Sequence, residues 1–436
     1  MSLEMHDDRA GSNETRDAAA AGSSACVAKI RPTALRRLLI QTCVAGMLGA
    51  ASTLAFAQTE TPPNFTIAFL GDQGLGPHSE AVRHLIAGEG ADAVMHVGDF
   101  DYEDDPQAWE EQINAILGPD FPYFGLVGNH DRTLFYEEGG YQEILAARMN
   151  RLGIVWSGDL GVMSWHRYAG ISFVMTAPGI FGSGDGLHDL YIRERFSTDE
   201  AIWRISAWHT NMRKMQVGRK GDEAGWGVYE ESRKAGAIVA TGHAHLYCRS
   251  HLLSDMDDQI IAGTENVLAL ATDDPATASD EGRTFAFVSG LGGRPIRDQV
   301  RTDPWWASIY TADQGATHGA LFGVFNYAGD PRLAYFYFKD HAGVVADRFF
   351  VEAPLPRSTT TTTRPPVPLC GDATGDGRVS VTDAQAALGA AVELTTCDAC
   401  ACDVDSSGSI STTDALLILS ASTGLGVSLA CTGCGA

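Results

Sequence analysis

Four times in this chain an apolar run that reads as a buried strand ends at a glycine followed by a side chain able to hold a metal ion. Residues 66–70 lead into Gly71-Asp72-Gln73-Gly74, and residues 93–97 into Gly98-Asp99-Phe100-Asp101-Tyr102. Residues 123–127 lead into Gly128-Asn129-His130-Asp131, and residues 237–240 into Gly242-His243-Ala244-His245 after one threonine. A carboxylate leaving such a strand end sits where a parallel or mixed sheet opens a crevice, and Asp99, with one oxygen per ion, can bridge two metals. Any one of these turns alone is an ordinary surface turn. Their repetition, with helices expected at 79–87 and 108–117 between the first strands, gathers the loops at one sheet edge and predicts an α/β fold.

The four blocks resemble the GDxG, GDxxY, GNH(D/E) and GHxH blocks of the calcineurin-like metallophosphoesterases, specifically the purple acid phosphatase branch, over residues 65–350. The fifth block of that branch, VxxH, has its best counterpart in Ser206-Ala207-Trp208-His209, which lacks the valine but ends a strand-like run at 203–208. The resemblance implies a four-layer α/β/β/α sandwich with the metals at the loop ends of two sheets. No additional N-terminal β-domain fits before Phe65. Two short strands at 161–176 and strands at 260–270, 284–289, 321–327, 333–339 and 344–351 are expected to complete it.

By the same resemblance, His245 joins Asp72, Asp99 and Tyr102 on a first metal, and His243 joins Asn129, His209 and Asp99 on a second. The donor types agree with this division: hard oxygens with one imidazole suit a trivalent or borderline cation, and a more nitrogen-rich set suits a divalent one. The tyrosine points to Fe3+; the partner ion is Fe2+, Zn2+ or Mn2+, and the sequence does not choose. Two such ions lower the pKa of a bound water to about 7 and clamp the phosphoryl oxygens for in-line attack by the resulting hydroxide. His130 would then face the leaving-group oxygen as general acid or charge stabiliser, with Asp131 holding its imidazole.

Asn211, Arg213, Lys214, Arg219 and Lys220 form a basic cluster after His209, read either as a solvated loop or as a grip for non-transferred phosphate. Leu246-Tyr247-Cys248-Arg249-Ser250 resembles the continuation found in plant-type acid phosphatases, with Cys248 where glutamate is common. His96 is expected to pack inside its strand; His78, His84, His166, His188, His251, His318 and His341 have no ligand partner at recognisable spacing and read as structural or surface residues. Trp305-Trp306 reads as packing or a pocket mouth, and Gly290-Leu291-Gly292-Gly293 as a tight turn rather than a phosphate cradle, since the Walker spacing is missing.

With 436 residues the chain is long enough for two or three domains, and a net charge of −24 argues against nucleic acid or an anionic membrane as partner. Residues 1–57 read as an export leader: Arg36 and Arg37 precede an apolar stretch at 38–57 that ends in Ala55-Phe56-Ala57, a small-x-small cleavage pattern. An uncleaved membrane anchor is the competing reading of that stretch. Leader cleavage places the catalytic domain, 65–352, outside the cell, in the periplasm or at the surface, with no stable membrane insertion.

A linker at 353–369 contains a threonine run and prolines that cannot bury a core. The tail, 370–436, holds two loops with calcium-binding spacing: Asp372, Thr374, Asp376, Arg378, Ser380 and Asp383, then Asp403, Asp405, Ser407, Ser409, Ser411 and Asp414. Oxygen donors fall at positions 1, 3, 5, 9 and 12 with the carbonyl of position 7, and each loop leads into an expected helix, 384–392 or 415–420. The duplication and the closing aspartates resemble a small α-helical dockerin module, which implies bound Ca2+ and a cohesin-like partner. A self-contained calcium module without a partner is the other reading. Cys370, Cys397, Cys400, Cys402, Cys431 and Cys434, six of the nine cysteines, point to disulfides in an oxidising compartment, with zinc as the competing explanation and the pairing left open.

The function these features predict is a secreted binuclear-metal phosphatase acting on a small phosphomonoester. A phosphodiesterase or nucleotidase would use the same ligands. A calcium-dependent scaffold or adhesion protein with an inert head is the reading from a different class, and retention of every expected ligand type speaks against it.

Overall fold

The computed structural model describes residues 60–182, 186–274, 277–355, 370–374, 378–392, 394–423 and 425–431. The expected leader, most of the expected linker and the expected ligand Asp376 lie outside the described residues. Strand Phe65–Leu70 is buried at every position and pairs parallel with Ala93–His96, which pairs parallel with Tyr123–Gly125. Both faces of these strands are covered, so their apolar residues run on without alternation, which is the pattern visible in the sequence. On its other side Phe65–Leu70 pairs antiparallel with Gly319–Phe325, and Leu333–Asp340, Val345–Glu352 and Val267–Ala269 extend this sheet to seven strands.

A second sheet of eight strands is centred on the parallel set Ile171–Thr176, Trp203–Ala207, Ile238–Thr241 and Ala286–Ser289. Met163–Tyr168 and Trp156–Asp159 flank one side, Tyr247–Ser250 and Trp306–Tyr310 the other. The two sheets meet through aromatic pairs: ring centroids of Phe69 and Phe287 lie 5.3 Å apart, Phe124 and Phe173 5.4 Å, Trp203 and Phe325 5.1 Å. Burial of each such ring contributes about 1.5–3 kcal/mol toward holding the two sheets together.

Helices cover the outer faces. Pro77–Gly88, Pro106–Ile116 and Tyr141–Arg151 bury Val82, Ile86, Trp109, Ile113 and Leu145 on the first sheet's side. His188–Ser197 and Trp226–Lys234 bury Ile192, Phe196, Val228 and Tyr229 with Val174 and Val239 of the second. The layers are therefore helix, sheet, sheet, helix. Proline stands at the start of the first two helices, where its missing N–H costs nothing, and Asp105 caps the second by accepting from the Ala108 N–H at 3.0 Å.

The expected strand at 260–270 is two pieces in different sheets: Ile260–Gly263 forms a hairpin with Leu252–Asp255, and Val267–Ala269 pairs with Val345–Glu352. Thr264-Glu265-Asn266 between them offers no apolar side chain, and Glu and Asn are poor strand formers, so the ladder does not continue. Helices Tyr141–Arg151, His188–Ser197 and Trp226–Lys234 were not anticipated. Their apolar stripes are narrow and two of them begin without a side-chain cap after glycine.

In the tail, helices Val381–Ala391 and Thr412–Ser422 each open with a capping box, Ser380 with Asp383 and Ser411 with Asp414, and bury Ala384, Ala387, Ala415 and Ile418 together. Disulfides join Cys370 to Cys431 and Cys397 to Cys402. The first closes a sequence separation of 61 residues. By loop-closure entropy that contributes about 4 kcal/mol to a core too small to stand comfortably alone. No helix among the described residues is long and apolar enough to cross a membrane.

Candidate metal centre

The loops after Phe65–Leu70, Ala93–His96, Tyr123–Gly125, Trp203–Ala207 and Ile238–Thr241 all leave the C-terminal ends of parallel strands, and they bring the expected ligands together. The Tyr102 hydroxyl donates to Asp99 Oδ2 at 2.8 Å and lies 3.2 Å from Asp72 Oδ1 and 3.1 Å from His245 Nε2. His209 Nε2 lies 3.2 Å from Asp99 Oδ2 and 3.1 Å from His243 Nδ1. Ligands at bonds of about 2.0–2.2 Å around one cation stand about 3.0–3.5 Å apart, which is the spacing seen here.

The three imidazoles are each fixed by their second nitrogen. His209 Nδ1 donates to the Val97 carbonyl at 2.8 Å, His245 Nδ1 to the Pro295 carbonyl at 3.2 Å, and His243 Nε2 to the Glu223 carboxylate at 2.9 Å. Such bonds set the tautomer and leave the inward nitrogen with a lone pair. Two inward lone pairs, His209 Nε2 and His243 Nδ1, consequently face one another, and a proton or a metal cation has to lie between them. Asn129 adds a buried Oδ1 without a hydrogen-bond partner, beside His130, whose backbone N–H donates to Asp99 Oδ1 at 2.9 Å. An orphaned amide oxygen next to a shared carboxylate fits a metal ligand.

Holding these groups strains the backbone. Asp72, Asp99, Tyr102 and His243 have φ of 59°, 58°, 64° and 69°, a region that residues with a Cβ enter at a cost of about 1–3 kcal/mol each. The glycines before them allow the close approach: a Cβ on Gly98 would stand 2.7 Å from His209 Nδ1, and one on Gly128 would stand 2.1 Å from the Asp99 nitrogen.

Burial of so many charges shifts their equilibria. Burial, together with Asp99, raises the Asp72 carboxyl to about 7. For Asp99 burial also pushes upward, but His209 and the His130 N–H overcome it and hold the carboxyl far below the usual range. His209 is raised to about 9, with Asp99 and Asp72 outweighing its own burial, so in the metal-free chain its proton supplies the missing positive charge. Burial pushes His243 down to about 4 and His245 to about 3, keeping both neutral. Burial and the two carboxylates raise the Tyr102 phenol well above its ordinary value. A bound cation would reverse that direction.

Three expectations need correction. Asp131 does not orient the His130 imidazole: its buried carboxylate accepts the backbone N–H groups of Asp99, Phe100 and Gly128 at 2.9, 2.8 and 2.6 Å, clamping the Asp99 turn instead. Burial and Asp99 raise that carboxyl to about 8. The basic cluster splits: Arg219 shares a cavity with His245, and Lys220 Nζ lies 3.3 Å from His243 Nδ1, whereas Arg213 and Lys214 line a different cavity with Trp226 and Trp305. Finally, His78, His318 and His341 do meet in space.

His130 is exposed with its ring centroid 4.4 Å from that of Tyr102. His96 is buried as expected, its Nδ1 accepting from the Gly98 N–H at 3.2 Å. Tyr247 and Arg249 both bond to Asp347, and Trp306 packs with Cys248, so these serve the core. Glu223 was not foreseen; it lies in a polar loop with no motif around it, and only the fold shows that it reaches His243. Arg294 and Arg297 were missed for the same reason. The turn at Gly290–Gly293 bonds back to the Asp72 loop, Gly292 to the Gly71 carbonyl and Arg294 to the Asp72 carbonyl, so the Arg294 guanidinium lies over the Tyr102 ring at 4.1 Å.

Residues 65–253 match the family model described as calcineurin-like phosphoesterase. Among solved structures, a purple acid phosphatase, PPD1, from yellow lupin (Lupinus luteus) seeds is similar at 16% identity and TM-score 0.49, over 66% of this chain and 54% of the lupin chain. The chain thus spans about half the length of that phosphatase. GAP50, the anchor in the inner membrane complex of Plasmodium, is similar at 11% identity and TM-score 0.41, over 67% of this chain and 90% of that one. PhoD follows at 14% identity and TM-score 0.39, over 69% and 74%. No curated protein matches the chain.

In the tail, the second loop is assembled: carboxylate oxygens of Asp403, Asp405 and Asp414 lie within 4.8 Å of one another. Asp414 accepts from the backbone of Val404 and Ser411, and Asp403 from that of Ser407 and Gly408, which turns their carboxylates toward one point. In the first loop Asp383 takes the matching part, bonding to Thr374 and Ser380. The Ser409 carbonyl accepts from the Ser407 hydroxyl at 3.1 Å.

Proposed function

We propose that the chain is a metal-dependent phosphomonoesterase, with Asp72, Asp99, Tyr102 and His245 holding one cation and Asp99, Asn129, His209 and His243 the other. The observation that carries this is the set of inward donors at 2.8–3.4 Å with every outer histidine nitrogen already committed to an oxygen. When bound there, the ions supply Lewis acidity toward the phosphoryl oxygens and toward water. The tyrosine donor supports iron(III) for the first position.

The chain's own residues do the rest. Asp131 fixes the backbone that aims Asp99, and the carbonyls of Val97 and Pro295 with Glu223 fix the imidazoles. His130, exposed at the rim, donates a proton to the departing alcohol. Arg219, Arg294 and Arg297 line a cavity of about 410 Å³ beside His245, with Asp298 as the one carboxylate among its lining residues. In a chain of net charge −24, three guanidiniums against one carboxylate around this cavity support an anionic substrate, with non-transferred phosphate or carboxylate received there. The tail loops are proposed to bind Ca2+, ordering a dockerin-like module for a cohesin-like partner, and the leader to direct export.

The test is elemental analysis of the purified protein alongside rates on an aryl phosphate, its diester and a nucleotide. Asp99→Ala and His243→Ala should lose metal and hydrolysis together, and Tyr102→Phe should lose a visible charge-transfer band. Full turnover in Asp99→Ala would overturn the assignment. Preferential cleavage of the diester would move the activity to that ester class.

A further inference from the structure

His78 comes from a helix roughly 240 residues before the two paired strands whose ends carry His318 and His341, yet one ring nitrogen of each lies within 4.8 Å of the other two. The strand ladder sets two of them opposite each other. Gly319 pairs with Asp340 at the end of the antiparallel pair Gly319–Phe325 and Leu333–Asp340, so His318 and His341 are the next positions across, and the His341 N–H donates to the His318 carbonyl at 2.8 Å. His78 arrives from the first turn of helix Pro77–Gly88 and stacks on His318, centroids 4.2 Å apart.

The tautomer of the central ring is assigned by its partner. His318 is buried, and its Nε2 donates to the Arg294 carbonyl at 2.9 Å, leaving Nδ1 as a lone pair. A histidine that donates one N–H to a backbone carbonyl has its tautomer set and its other nitrogen left as a lone pair, which is the outer arrangement of a metal ligand. The buried Asp340 carboxylate, held by the hydroxyls of Tyr310 at 2.8 Å and Thr317 at 2.7 Å, adds negative charge nearby, since Asp340 precedes His341 and pairs across the ladder with Gly319, the neighbour of His318. His78 and His341 are exposed, so both can turn toward an ion without repacking the core.

We propose that His78, His318 and His341 form a further metal site, for a borderline divalent cation of the zinc(II), copper(II) or nickel(II) type. Three imidazoles and no carboxylate in the first ring of donors exclude calcium and magnesium, which take oxygen, and leave a fourth position to water. The ion would tie helix Pro77–Gly88 to the two strands. Through His318 it would also hold the carbonyl of Arg294, whose guanidinium lies on the Tyr102 ring. None of these histidines belongs to the binuclear set, so this inference stands whether or not the phosphatase reading does.

The full chain is taken in excess Ca2+, which occupies the acidic loops, and total zinc per chain is counted, including what is present at purification. Zinc titration by calorimetry and a thermal scan with and without zinc complete the measurement. The wild type should hold one equivalent more than His78→Ala/His341→Ala, and should gain a zinc-dependent rise in Tm that the double variant lacks. Both substitutions are on exposed side chains, so folding is not at stake. His209→Ala should remove a different equivalent, making the losses additive. Equal zinc stoichiometry in wild type and the double variant would overturn the site.

Discussion

Replacing Glu223 by glutamine tests whether the inward donors act as metal ligands at all. The carboxylate accepts the His243 Nε2 proton at 2.9 Å and is 38% exposed. A charge-assisted hydrogen bond contributes about 1.5–3 kcal/mol and a neutral one about 0.5–1.5, so Glu223→Gln, which keeps an acceptor but removes its charge, forfeits about 1–1.5 kcal/mol. Solvent reaches this carboxylate, so the lower end, about 1 kcal/mol, applies, and metal affinity at His243 should fall about fivefold, just under the 10–100-fold range for such partners. The Lys220 ammonium, 3.3 Å from the same His243 Nδ1, has to be displaced by any incoming cation and stays in place in the variant. The assay is competition with a graded chelator at fixed pH, with activity read at saturating metal. The competition curve should shift while activity recovers when metal is in excess. An unshifted curve would refute the claim that His243 Nδ1 ligates through a tautomer set by Glu223.

Other outcomes follow from the same geometry. Asp131→Ala leaves three buried N–H groups without an acceptor, so it should cost at least about 3 kcal/mol and lower metal content; a thermal scan with unchanged Tm would contradict the clamp. His166 is buried between Phe124 and Phe173 with neither ring nitrogen partnered, and burial pushes it down from 6.5 to about 3. The unfolded chain therefore takes up a proton that the fold refuses: stability is full above pH 6.5 and falls by about 1.4 kcal/mol per pH unit as pH drops toward 3. Urea unfolding of His166→Phe across that window should show a flatter pH dependence than the wild type, and equal slopes would count against it. Chelating calcium should expose residues 370–431 to protease, and Asp403→Ala/Asp405→Ala should be equally sensitive with or without calcium; a wild-type tail indifferent to the chelator would remove the ion from the account.

How much of this was legible beforehand can be followed residue by residue. Strands such as Phe65–Leu70 and Ile238–Thr241 are buried on both faces, and that leaves an unbroken apolar run which no other context explains as well. Helix Tyr141–Arg151 and its unforeseen companions lie on the surface, where a narrow buried stripe among charges leaves little trace. His209 was legible in spite of its missing valine because it ends a strand. Asp131 stood out in the sequence but its contacts did not, since a carboxylate beside a histidine gives no hint that the backbone amides of Asp99 and Phe100 from another loop, with that of Gly128 from its own, surround it.

By itself the sequence determined the donor types, their order and their placement at strand ends, because these depend on local pattern and on the glycines that let the chain turn there. It determined likewise the twofold acidic loops of the tail and the clustering of cysteines around them. Only the tertiary structure decided which residues stand behind the donors: Glu223 on His243, the Val97 and Pro295 carbonyls on His209 and His245, and three arginines around one cavity. It alone joined His78 to His318 and His341. Proximity across hundreds of residues is set by how sheets pair and pack, and pairing register leaves no local mark on the residues it brings together.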